Sequence, residues 1–113
     1  MDSEIRSLAW KSVEHVFSDL HIAVGTPFPV AIMVEVKNED AIPDVRSELA
    51  AAALEIASID KKGWLSRRWQ IAAKSKPQPI DRVEVERWLD GLESRLRNHD
   101  AKVLTWAPLV PDA

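Results

Sequence analysis

Apolar residues recur at three- and four-residue intervals from Ser3 to Leu20 (Ile5, Leu8, Ala9, Val13, Val16, Phe17, Leu20), which predicts an amphipathic helix. It must stop before Gly25-Thr26-Pro27-Phe28-Pro29, where two prolines and a glycine disfavour helix. From Val30 the period changes to two. Val30, Ile32, Val34 and Val36 share one face, while Ala31, Met33, Glu35 and Lys37 share the other, the pattern of a strand in a sheet covered on one side.

A second helical stripe follows, with Ile42, Val45, Leu49, Ala52, Ala53 and Ile56 on one face, Asp40 placed to cap it and Pro43 tolerated in its first turn. Ile56 to Asp60 fits either the last turn of that helix or a strand. The strand is favoured, because Lys61-Lys62-Gly63 then reads as a turn into the alternating run Trp64 to Lys74. In that run Leu65, Arg67, Trp69, Ile71 and Ala73 fall on one face, and Trp64, Ser66, Arg68, Gln70, Ala72 and Lys74 on the other. Pro77-Gln78-Pro79 ends it. Asp81 and Glu84 resemble a capping box for a third helix whose stripe is Val85, Trp88, Leu89, Leu92 and Leu96, and Val103 to Val110 forms a last strand.

The resulting order is a helix followed by βαββαβ. This predicts an α+β, ferredoxin-like fold: an antiparallel sheet with its helices on one face, plus an extra N-terminal helix. A length of 113 residues fits a single domain, 1–113, with residues 1–24 as N-terminal helix and connector and 28–110 as the ferredoxin-like core. The extra helix has three possible roles: covering a sheet edge, packing beside the other helices, or mediating self-association.

Charge changes the picture at one place. The chain carries a net charge of −3, yet Lys61, Lys62, Arg67, Arg68, Lys74 and Lys76 occur between positions 61 and 76 without an acid among them, interleaved with Trp64 and Trp69. Concentrating like charge raises self-repulsion, which marks this segment as a candidate working surface. Trp64, Arg68, Lys74, Lys76, Lys61 and Lys62 are accordingly the expected partner-binding residues, with Trp64, an amphipathic aromatic among cations, as an anchor. The acidic balance elsewhere disfavours non-specific binding to nucleic acid.

Candidate chemistry is sparse. The absence of cysteine excludes disulfides and thiolate metal sites, and His15, His21 and His99 have no partner histidine at ligand spacing, so no metal is expected. No serine sits in a Gly-x-Ser-x-Gly turn, and Gly25, Gly63 and Gly91 outline no phosphate loop. Glu84, Glu86, Asp90 and Glu93 alternate with arginines, as on a solvated helix face. The expectation is a protein that is not an enzyme and uses no cofactor. No apolar run is long enough to span a bilayer and the first residues lack the character of a secretion signal, so the expected compartment is the cytoplasm, with no membrane partner.

Several features together resemble the regulator of ribonuclease E activity B family. These are the apolar strand Pro29 to Val36, the alanine-rich helix Ala50 to Leu54, Gly63-Trp64-Leu65 opening the basic strand, and Leu89-Asp90-Gly91-Leu92-Glu93 leading to Asn98-His99-Asp100. Trp106 stands where that family tends to carry a Tyr-Asp-Gly-Trp turn. The resemblance implies a ferredoxin-like domain that binds and restrains a protein, with a ribonuclease among the candidates. The alternative from the residues alone is an RNA-binding module using the basic strand 61–76, an aromatic stacking on a base while cations hold phosphates.

Overall fold

A computed structural model describes residues 3–63 and 68–111. Helix α1 (Ser3–Asp19) leads to the short strand β1 (Pro27–Phe28) and then to β2 (Val30–Val36). A 3-10 turn (Glu39–Ala41) opens α2 (Ile42–Ala51), followed by β3 (Leu54–Lys61), β4 (Trp69–Ser75), the short β5 (Gln78–Pro79), α3 (Arg82–Arg97) and β6 (Ala101–Pro108). The four long strands form one sheet in the order β3-β4-β2-β6, each neighbouring pair antiparallel, while β1 pairs with β5. The units β2-α2-β3 and β4-α3-β6 interleave, so that a strand of one lies between the strands of the other. That is the ferredoxin-like arrangement.

The register explains which side chains meet. Val34 lies opposite Ile71 on one side and Val103 on the other, and Ile32 lies opposite Ala73 and Trp106, so these residues form a single inner face. All six are buried and belong to the core cluster with Val45, Leu49, Val85, Leu89, Leu92 and Leu96 from the helices. Two bulges, at Ala57 in β3 and Leu104 in β6, each add one residue to a strand. They keep Ile56 with Ile59, and Val103 with Trp106, on the inner side, where strict alternation would part them.

Local chemistry starts and stops the helices. The Asp81 carboxylate accepts the Glu84 backbone N–H at 3.2 Å, as expected, and α3 then buries Val85, Leu89, Leu92 and Leu96, leaving Trp88 half-buried. Asp40 does not cap the second helix: Asn38 does the capping one turn earlier, its side chain accepting the Asp40 N–H at 3.0 Å. That helix ends at Ala51, and Ala53 (φ +62°) turns the chain into β3, so Ile56 to Asp60 is strand.

Helix α1 lies on the helical side next to α3, joined by Arg6, whose guanidinium reaches Asp90 at 2.6 Å and Glu93 at 3.5 Å. Its buried residues are Trp10, Val13 and Phe17; Trp10 packs on Trp106 with ring centroids 5.1 Å apart, and Phe17 on Phe28 at 5.8 Å. The predicted stripe is therefore only partly the buried one, since Ile5, Leu8, Val16 and Leu20 remain exposed.

Candidate interaction surface

Among the described residues, the basic positions of this segment do not form one patch. Strand β4 is an interior strand, between β3 and β2, so its charges do not lie along a sheet edge. Arg68 precedes β4, whereas Lys74 and Lys76 lie at its far end; at about 3.4 Å per residue, Arg68 and Lys74 are about 20 Å apart along the chain. Trp64, with Leu65, Ser66 and Arg67, lies outside the described residues. Arg68 and Lys74 do share the outer side, beside Glu35 and opposite Glu55 respectively, but they stand at opposite ends of β4, farther apart than their side chains reach.

Local acids further divide these charges. Lys61 shares the inner side with Trp69, its Nζ 6.0 Å from the ring centroid, beside a hollow of about 490 Å³ that Glu39 and Asp40 also line. Lys62 is exposed in the turn, where its N–H donates to the Arg68 carbonyl at 3.0 Å. Lys74 is directly opposite Glu55 on β3, and Arg68 Nη1 lies 3.8 Å from Glu35 Oε2.

What the fold does assemble is the outer side of the sheet. Pairing places Ala31 and Met33 of β2 beside Lys74 and Ala72 of β4 and beside Ala107 and Thr105 of β6. Ala31, Met33 and Ala72 are half-buried, while Thr105, Ala107, Lys74 and Lys102 are exposed; among the described residues no helix lies over this face. Small apolar side chains form its centre, and Glu55, Lys74, Lys102 and Asp60 stand around it. No aromatic side chain of the described residues belongs to it, because Trp69 and Trp106 point to the inner side.

Glu35 is the unusual member. Only 7% exposed, between Gln70 and Lys102 in the register, it leaves Oε1 buried and without a hydrogen-bond partner. Alternation along β2 put it on this face, but nothing in the sequence signalled its burial.

Two of the three histidines lie near acids: His15 Nε2 is 3.2 Å from Asp19, and His99 is 3.7 Å from Glu48 and 4.0 Å from Asp44. Among the described residues, no group of three or more His, Asp or Glu could hold a metal ion. On α3, Arg82 pairs with Glu86 and Arg87 with Glu84, as a solvated face implies, but Asp90 and Glu93 instead face Arg6 of α1. No described helix is long and apolar enough to cross a membrane.

No family model matches the chain, and no curated protein matches it. Among solved structures, the chain is similar to a Bacillus subtilis dinuclear metal-binding peptidase of the M20 family, at 10% identity and a TM-score of 0.48. The likeness covers 79% of this chain and 29% of that protein. At that level it says nothing about chemistry or partners.

Proposed function

We propose that the protein is a non-catalytic binding module that regulates or inhibits a protein partner, engaging it through the outer face of β2, β4 and β6. The observation that carries this reading is the composition of that face: a centre of Ala31, Met33, Ala72 and Ala107, bordered by charged groups and left uncovered by described helices. An apolar centre within a charged border is how protein interfaces are built, the border steering approach and the centre excluding water. Arg68 and Lys74, at opposite ends of β4, would then set orientation. The family resemblance makes a ribonuclease the first partner to try.

RNA binding has less support. A sheet face that reads single-stranded RNA uses aromatic side chains as stacking platforms, and the described part of this one has none. The test is capture on the immobilised full chain, with and without RNase treatment, using the parent and the Met33→Glu/Ala72→Glu variant. A protein retained after RNase treatment, and lost with the variant, supports the reading. Retention of RNA alone, or of protein only while RNA is intact, overturns it in favour of the alternative.

A further inference from the structure

Buried side-chain atoms without a hydrogen-bond partner are concentrated in one seam. Four such atoms occur among the described residues, and three of them, Arg6 Nε, Trp10 Nε1 and Trp106 Nε1, lie where α1 meets the rest of the domain. All three are donors. Each opposes the docking of α1, since a donor taken out of water without an acceptor forfeits the bonds it had there. The attachment they oppose is narrow. Trp10, Val13 and Phe17 of α1 are buried, whereas Ile5, Leu8 and Val16 are exposed, and a polar tie to α3 runs from Arg6 to Asp90 and Glu93. The helix also supports itself poorly, because its last turn has no basic residue and ends on Asp19, against the helix dipole.

We infer that α1 is a hinged strap: residues 3–24 lift from the domain as one unit about Gly25 while the remainder stays folded. Lifting breaks no strand pair of the four-stranded sheet, because neither α1 nor its connector belongs to it. The far side of the hinge is fixed. Gly25 N–H donates to the Ile80 carbonyl at 3.1 Å, Ile80 N–H donates to the Thr26 carbonyl at 3.3 Å, and β1 pairs with β5, so the chain from residue 25 onward is held to the segment before α3. Gly25 has φ of +92°, and a residue without a Cβ passes readily between that conformation and others. In the lifted form the three donors reach water. Trp106 loses its cover by Trp10, and Phe28 its cover by Phe17, so a second apolar surface exists only while the strap is open.

Lifting leaves the outer face of the sheet as it is, so the strap and the binding role proposed above can fail separately. Native-state hydrogen exchange of the full chain, read amide by amide in a urea series below the unfolding midpoint, tests the strap. The amides of α1 should share a single opening, roughly a hundred-fold more frequent than that of α3 and with a shallower dependence on urea. Arg6→Ala removes the tie to α3 and should speed exchange in α1 by roughly ten-fold or more while leaving α3 unchanged. Equal protection and equal urea dependence in α1 and α3 overturn the inference, because the helix would then leave only when the whole domain unfolds. So does protection that declines residue by residue toward Ser3, which is fraying of a helix end. An effect of Arg6→Ala as large in α3 as in α1 overturns it as well.

Discussion

Glu35 provides the most discriminating perturbation of stability. Its side chain is nearly fully buried on the outer face, one oxygen lacks a partner, and among the described residues the nearest cation, on Arg68, is 3.8 Å away on a side chain that is 62% exposed. That distance is beyond a hydrogen bond, and an ion pair with one solvated member contributes only about 0–1 kcal/mol. Against it stands the cost of an unpartnered buried acceptor, about 1–3 kcal/mol. Glu35→Met retains chain length, removes the carboxylate and adds apolar surface. The account predicts a gain of about 1–2 kcal/mol, since replacing buried ionic groups by apolar ones of similar volume is often neutral or stabilising by about 1–4 kcal/mol. For a domain of this size that corresponds to a rise in melting temperature of about 4–10 °C. Urea unfolding at unchanged m-value gives the free energy, with thermal circular dichroism as the second probe. A loss of more than about 1 kcal/mol would refute the reasoning, because it would make the carboxylate a net contributor to the fold. If the outer face binds a partner, the stabilised variant should bind more weakly, as expected where a group is retained for function at a cost in stability.

Two further outcomes test the packing. Leu92→Ala, at a position only 2% exposed beneath α3, should lose about 2–5 kcal/mol through lost apolar burial and the cavity left behind, and an unchanged urea midpoint would contradict the assignment of that helix's inner face. Ala53→Gly should stabilise by roughly 1 kcal/mol, because φ of +62° strains a residue with a Cβ; a melting temperature that falls would show that the turn tolerates alanine without strain.

The periodic segments made most of the fold legible. Alternation placed Val30, Ile32, Val34 and Val36 on the core side, and the stripe of α3 gave its buried face. Of the expected hairpin the two strands are present, but Lys61 closes β3, β4 begins at Trp69, and residues 64–67 lie outside the described residues. Helix α1 was only half readable, because it has two neighbouring apolar stripes. Trp10, Val13 and Phe17 go inward while Leu8 and Val16 go outward, and helical spacing alone cannot rank them. The bulges at Ala57 and Leu104 were invisible for a related reason: each shifts the phase of alternation without altering the residues' composition.

The candidate surface was less legible still. A run of basic residues is a one-dimensional feature, and pairing in a sheet redistributed it: Glu55 came opposite Lys74, Glu35 came beside Arg68, and β4 became an interior strand. The apolar centre of the outer face comes from three strands far apart in sequence, each contributing one or two small residues too unremarkable to single out beforehand.

The central claim, that a protein partner docks on the outer face, is tested most directly by placing a photo-activatable amino acid at Ala72 on that face and, separately, at Val83 on the helical side. After illumination with the partner retained in the RNase-treated capture, the account predicts a covalent protein adduct from position 72 and none from position 83. An adduct from position 83 alone, or RNA as the only species joined to position 72, would contradict it.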